Sequence, residues 1–208
     1  MAGNLIIAIN RQYGSGGKEI GTKLAKAYDI PIYDEEIPNL AAKKSGINKD
    51  YFEKVDEKPT DSFLYALAMN TLSIGGSMRN SLDNTLSSDR LFNLQAETVK
   101  ELAQKSSCVI IGRCAEYILR EEQNCISVYI CGSLEKRVQR IQKLYNLSEK
   151  EAQKKIQSID KKRDSYYGYY AGKEWREADS YDLCVNSSKL GIDRSVELIR
   201  TYIEIKNR

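Results

Sequence analysis

The sequence predicts a three-layer α/β domain with a parallel five-stranded sheet. Three features carry that expectation. Short apolar runs recur along the chain, segments with helical spacing alternate with them, and a glycine cluster joins the first run to the first helix. A chain of 208 residues fits a single domain of this kind.

Leu5–Ile9 is a continuous apolar run, as expected of a parallel strand buried on both faces. Gly14, Gly16 and Gly17 follow it, and then Ile20, Leu24, Ala27 and Tyr28 recur at helical spacing. Ile30–Tyr33 reads as a short second strand that ends at Asp34. Residues 35–105 read as mainly helical. One helix carries Ile37, Leu40 and Ala41, a second follows Pro59 with Leu64, Leu67, Ala68 and Thr71, and a third carries Phe92, Ala96, Val99 and Ala103. Residues 74–89, with Gly75, Gly76, Asn80, Asp83 and Asn84, read as a polar connection.

Cys108–Ile111 is the third strand, broken by Gly112, and Ile126–Cys131 the fourth. Leu134, Val138, Ile141 and Tyr145 mark an amphipathic helix after it. Ser148 and Glu151 form a capping-box signature for the next helix, whose inner face carries Ala152, Ile156 and Ile159. Tyr181–Val185 is the fifth strand, and Ile192, Val196, Ile199 and Ile203 give the closing helix.

Composition narrows the chemistry. Hydrophobic residues make up 41% and charged residues 29%, enough to fill a core. A net charge of +3 is too mild to point to a nucleic-acid partner. Apolar runs are too short for a membrane span, and Leu5–Ile9, followed closely by Arg11, is too short for a signal peptide. There is no histidine, which excludes His-based triads and His-ligated metal. Five cysteines without a CxxC pair read as reduced, mostly buried thiols of a cytoplasmic protein, and no metal site is expected from them.

The glycine loop is the strongest chemical signal. Gly14, Ser15, Gly16, Gly17, Lys18 and Glu19 sit between a strand and a helix. Small residues let backbone N–H groups turn toward a phosphate, the helix N-terminus favours the anion, and a lysine reaches the β- and γ-phosphates. The strict form GxxxxGK[ST] fails at both ends, with Gln12 at its first glycine and Glu19 at its hydroxyl. A dinucleotide-binding turn competes, because Asp34 follows Gly14 by 20 residues. Glu19 would occupy the third glycine of that motif and repel a pyrophosphate. A strand–helix turn with no ligand is the remaining alternative.

With the loop in place, the chain resembles the nucleoside monophosphate kinases, and most closely the cytidylate-kinase-like family. The resemblance rests on Ile9–Lys18, Tyr33-Asp34, Ile110–Arg113, Asp160–Arg163 with Tyr166-Tyr167, and Tyr181–Leu183. It implies a P-loop NTPase fold with a helical acceptor-binding insert at 35–105, a lid at 143–178 and a core formed by 1–34, 106–142 and 179–208. It also implies ATP and Mg²⁺ as cofactors and a nucleotide or other small molecule as acceptor. The chain departs from cytidylate kinases where they carry Asp-Gly-Arg-Asp, since it has Ile111-Gly112-Arg113-Cys114. No arginine follows the second strand within Tyr33–Ile37, and the lid motif around Asp160 is only partly kept.

Phosphoryl transfer needs positioned cations around the migrating group rather than a histidine or a covalent nucleophile. Between Ser133 and Arg163, ten Lys/Arg face four acids, so this segment is far more basic than the chain as a whole. Arg137, Arg140 and Arg163 are its candidates for the phosphates, with Lys18, and the other cations read as a solvated face. Arg113, at the C-terminal end of the third strand, is the candidate for an acceptor phosphate, against a surface ion pair. Asp34 is the candidate for orienting an acceptor hydroxyl or holding Mg²⁺ through water, against a helix N-cap. Glu19 reads as a first-turn acid or a water-mediated Mg²⁺ ligand. The four tyrosines at 166, 167, 169 and 170 read as packing for the lid. Trp175, the only tryptophan, lies near the expected hinge. A kinase and a non-catalytic nucleotide-binding module of the same fold both remain open, and the oligomeric state is not specified.

Overall fold

The structure is a computed structural model, and it describes residues 3–47 and 78–206. The expected helix after Pro59 lies outside the described residues. All five strands form, and they assemble into one parallel sheet in the order β2-β3-β1-β4-β5. The strands are β1 (Ile6–Arg11), β2 (Ile32–Tyr33), β3 (Cys108–Ile111), β4 (Cys125–Cys131) and β5 (Leu183–Asn186). Each lies within two or three residues of its expected bounds. The helices between them are α1 (Gly17–Tyr28), α2 (Glu36–Ser45), α3 (Met78–Lys105), α4 (Ala115–Ile118), α5 (Leu134–Tyr145), α6 (Glu149–Ala171) and α7 (Ser187–Lys206).

β1 is central, flanked by β3 and β4, and every residue of it is buried. Alternate side chains serve opposite layers. Ile7 and Ile9 join Val109, Ile111, Val128 and Ile130 against α1 and α7. Ile6 and Ala8 join Cys108 and Ile110 against the side of α2, α3 and α4. An unbroken apolar run is therefore required of β1, because neither face meets water. Burying each such isoleucine contributes roughly 1.5–3 kcal/mol.

Two helices differ from the expectation. Residues 78–89, read as a polar connection, belong to α3, which runs unbroken to Lys105. Leu40 of α2 is exposed, while Ile37 and Ala41 carry the buried face. The short α4 escapes a periodicity search because four residues span only one turn. Among the described residues no helix is long and apolar enough to cross a membrane.

α5 and α6 form an antiparallel hairpin above the strand ends. The capping box at the start of α6 is present: the Ser148 Oγ accepts from the Glu151 N–H, and Glu151 Oε2 accepts from the Ser148 N–H at 2.9 Å. Farther along α6, Tyr166, Tyr167 and Ala171 join Tyr129, Trp175 and Tyr181 in a buried aromatic cluster. Tyr170 stacks on Phe92 of α3 with ring centroids 3.8 Å apart, and the Tyr169 hydroxyl donates to Asp89. The tyrosine run thus packs the second half of α6 onto the domain, as its density suggests.

Candidate functional site

The loop Gln12–Gly16 joins β1 to α1 at the C-terminal edge of the sheet. Gly14 and Gly16 adopt φ of 81° and 82°, conformations that cost glycine little. Ser15 closes the turn by donating its N–H and Oγ to the Gln12 carbonyl, at 3.2 and 2.8 Å. Ser187, opening α7, donates to the Ser15 carbonyl at 2.6 Å. The first intrahelical bond of α1 runs from the Ile20 N–H to Gly16. The N–H groups of Gly17, Lys18 and Glu19 thus have no partner within the helix.

Two features distinguish this loop from the strict phosphate-binding pattern. Gln12, at the position of the first glycine, uses its Oε1 to accept from the Gly132 N–H at 3.0 Å, which ties the loop to the end of β4. The Tyr13 N–H donates to Asp160 Oδ1 at 2.7 Å. That amide is held by the hairpin rather than offered to a ligand. Arg137 completes the grip. Its Nη1 donates to Asp160 Oδ2 at 2.6 Å and to the Tyr13 carbonyl at 3.2 Å, and its Nε to the Gly132 carbonyl at 3.1 Å.

A cleft of about 600 Å³ opens around the loop. The structure brings most of the expected residues to it: Gly14, Gly16, Gly17, Lys18, Glu19, Asp34, Arg113, Arg140 and Arg163 all line it. Ser15 lies just beneath, buried in the turn. Arg137 is not brought there. It is 7% exposed and faces Asp160, itself 3% exposed, behind the loop. Of the ten cations between Ser133 and Arg163, Arg140 and Arg163 line the cleft.

Lys18 reaches across the cleft to Asp34 Oδ2 at 3.0 Å and Glu35 Oε1 at 3.1 Å. The hydrogen bond it donates to Asp34 holds its ammonium above the ordinary lysine pKa. Asp34 is buried, and its other oxygen lies 3.6 Å from Arg11 Nη2. It is not the N-cap of α2. Glu35 takes that position and makes no side-chain cap bond. Glu19 pairs with Arg140 Nη2 at 2.5 Å. Arg163 donates from Nη1 to the Arg11 carbonyl at 2.9 Å and lies beside the Tyr13 ring.

Arg113 is 4% exposed, so it is not a surface ion pair. It belongs to a run of three left-handed residues, Gly112, Arg113 and Cys114, with φ of 72°, 60° and 53°. Two of the three are not glycine. Such backbone costs of order 1–3 kcal/mol per residue and persists where the surroundings enforce it. Here it turns β3 into α4 at the strand end where α/β sheets bind ligands.

Behind Arg113 lies a buried polar network. Asn10 Nδ2 donates to Glu116 Oε1 at 3.3 Å and to the Tyr181 hydroxyl at 3.1 Å. Asn10 Oδ1 accepts from Trp175 Nε1 at 2.8 Å. Burial pushes the Glu116 carboxyl up to about 7. Trp175 is 1% exposed and belongs to this core.

Sequence reasoning missed Arg11, Tyr13, Glu35 and this network.

As to a metal, Glu19 and Asp34 both line the cleft, and Mg²⁺ is commonly held by one or two carboxylates, water and substrate phosphates. Here each is paired with a cation, Glu19 with Arg140 and Asp34 with Lys18, so a metal held through water would have to displace those pairs. No cluster of three or more candidate ligands occurs among the described residues.

Comparison with known proteins agrees with this architecture. The model of the cytidylate kinase-like family matches residues 6–189. A cytidylate kinase from Methanopyrus kandleri is 21% identical over 210 residues, covering 97% of this chain and 94% of its own. The crystal structure of an uncharacterized protein from Eubacterium ventriosum superposes with a TM-score of 0.72 at 27% identity, over 96% of this chain and 98% of that one. A shikimate kinase from Bacteroides thetaiotaomicron gives 0.54 at 13% identity, over 96% and 98%, and there only the fold is shared. With a family match that runs from the first strand into the last helix, the chain belongs to the cytidylate kinase-like family.

Proposed function

We propose that this protein transfers the γ-phosphoryl group of ATP to a small acceptor, a nucleoside monophosphate such as cytidylate being the first candidate. The observation that carries the reading is the convergence of Lys18, Arg140, Arg163, Arg113 and Asp34 with the first turn of α1 on one cleft. Phosphoryl transfer is catalysed mainly by positioning and by charge placed where the transferred group develops it. In this reading the α1 N–H groups and Lys18 hold the terminal phosphates of ATP. Lys18 leaves Asp34 for them, which frees that carboxylate to orient the acceptor. Arg163, fixed through the Arg11 carbonyl, and Arg140 bring positive charge from the hairpin, which shields the transfer from water. Glu19, or Asp34 as the alternative to its acceptor role, would hold Mg²⁺ through water, and the ion would neutralise charge on the phosphates.

A non-catalytic nucleotide-binding role is the second reading. It is favoured by the carboxylate, paired with Arg140, that replaces the hydroxyl after Lys18, and by the absence of acids on either side of Gly112-Arg113.

An ATP-consumption assay over a panel of nucleoside monophosphates and small hydroxy acids separates the two. Lys18→Ala should lower kcat/KM by an amount equivalent to about 2–4 kcal/mol. Turnover and ATP affinity unchanged by that substitution would refute the role of the loop. ATP binding without consumption on any acceptor would leave the second reading.

A further inference from the structure

We infer that Tyr13 is a positioning residue that fastens the hairpin of α5 and α6 to the glycine loop, so that the two move as one body and the hairpin's cations arrive with the loop rather than with a closing lid. The inference rests on the kinase reading for what the loop holds, while the fastening stands on contacts alone.

Tyr13 is a loop residue whose side chain belongs to the hairpin. Its ring packs against the cluster of Val138 and Ile141 from α5 with Ala152 and Ile156 from α6, the buried residues that join the two helices. Its hydroxyl is hydrogen-bonded to Tyr145, the last residue of α5, and Lys155 of α6 lies 3.9 Å from the centre of the Tyr145 ring. Two turns beyond Ile156, the Arg163 guanidinium lies 5.8 Å from the centre of the Tyr13 ring. One side chain thus meets the hairpin from the end of α5 to the middle of α6.

The backbone around Tyr13 is held by the same hairpin. Asp160 and Arg137 take its N–H and its carbonyl, and Arg163 donates to the Arg11 carbonyl at 2.9 Å. Gly14 lies directly on α5: a Cβ there would stand 3.0 Å from the Arg137 carbonyl oxygen and 3.1 Å from Ile141 Cγ1. Arg11 is covered in turn by α1, since a Cβ on Gly17 would stand 2.5 Å from the Arg11 Cβ. The hairpin, residues 11–14 and the start of α1 are therefore one packed unit.

The place where a lid would hinge is filled. Trp175 is 1% exposed, and Tyr166, Tyr167 and Ala171 before it are buried in the same aromatic cluster. Swinging the hairpin would disrupt that cluster and withdraw the Tyr13 ring from its own. Segments that open readily carry few buried apolar contacts, and this one carries two sets. Arg140 and Arg163 are thus preset on the cleft. Coupling between two sites is reciprocal, so a ligand that orders the loop must order the hairpin as well.

Hydrogen exchange on the full chain, with and without ATP, tests this. The proteins are the wild type, Tyr13→Phe, which keeps the ring, and Tyr13→Ala, which keeps only the backbone bonds. Without ligand, Tyr13→Ala should speed exchange at least tenfold in residues 138–158 and leave β1 and β3 within threefold of the wild type. Tyr13→Phe should stay within threefold throughout. With saturating ATP the wild type should gain protection in the loop and in residues 138–158 together, and Tyr13→Ala in the loop alone. In calorimetric titration, Arg163→Met should weaken ATP at least fivefold in the wild type and less than twofold in Tyr13→Ala, where Arg163 is no longer held in place. The inference is overturned if the hairpin of Tyr13→Ala exchanges like that of the wild type, if Tyr13→Phe loosens it as much as Tyr13→Ala does, if ATP protects the wild-type loop and not the hairpin, or if Arg163→Met costs the same in both backgrounds. Should Tyr13→Ala not fold, Tyr13→Val decides in its place, and hairpin exchange within threefold of the wild type overturns the fastening. If ATP fails to bind the wild type at millimolar concentration, the reading of the loop falls, and the ligand-free exchange still decides whether Tyr13 fastens the hairpin.

Discussion

Glu116 gives the protein a pH dependence opposite in sign to that of a paired carboxylate. It lies on α4, 5% exposed, with Asn10 donating to one oxygen. Burial raises its pKa from 4.5 to about 7, against the opposing hydrogen bonds and the charge of Arg11. The folded protein therefore keeps a proton that the unfolded chain releases between about pH 4.5 and 7. Because the folded state binds more protons in that window, stability falls as pH rises through it. The contribution is fully present below about pH 4.5 and lost above about pH 7, roughly 3 kcal/mol in all. Glu116→Gln removes the ionisation and keeps an amide oxygen for Asn10. The variant should match the wild type within about 1 kcal/mol near pH 5 and exceed it by roughly 2–3 kcal/mol at pH 8. For a chain of this size that is a rise of roughly 4–12 °C in Tm at pH 8. Urea unfolding at several pH values between 5 and 8, with the m-value checked for constancy, measures the difference directly. Other titrating groups cancel in that difference. A difference between variant and wild type that does not change with pH would show that Glu116 is not the proton binder.

Two further outcomes follow from the packing around the loop. Arg137→Met leaves Asp160 buried without its cation, and stability should fall by about 3–5 kcal/mol. Adding Asp160→Asn should restore about 1–3 kcal/mol, since no charge is then buried and the amide oxygen still accepts from Tyr13; simple additivity in equilibrium unfolding would sink the idea. Gly17→Ala drives a Cβ into the stem of Arg11 and should cost about 1–3 kcal/mol, so an unchanged thermal midpoint would mean that α1 does not press on Arg11 as described.

How much of this was legible in the sequence depends on whether a residue's role is local. The strands were legible because a strand buried on both faces must be apolar throughout, as Ile6–Ile9 and Cys108–Ile111 are. The capping box was legible because both of its partners lie within four residues. The loop residues and the cleft position of Arg113 were legible because a glycine turn after a strand, or the end of a strand, is a place as well as a motif. Arg11 was not legible, because its neighbour Asp34 is 23 residues away and adjacent only through the strand order β2-β3-β1. No local pattern encodes that order. Asn10 and Glu116 are joined by the same accident of topology.

Arg137 is the instructive case, because a signal for it existed. A basic helix over a phosphate site makes every arginine a candidate, and composition cannot rank Arg137 against Arg140. Spacing can. Arg137 stands next to Val138 and four residues before Ile141, on the buried side of α5, and Asp160 stands four residues after Ile156 on the buried side of α6. A charge at a core position is costly unless an opposite charge meets it, so two opposite charges at core positions of adjacent antiparallel helices point to each other. Arg140, three residues from Arg137, is half-exposed and pairs across the cleft with Glu19. Helical phase thus separates the arginine that braces the loop from the arginine that lines the cleft. The same phase argument explains why the brace grips Tyr13: the inward-facing pair is the part of the hairpin that lies against the loop, so the loop backbone is where its remaining hydrogen-bonding capacity is used.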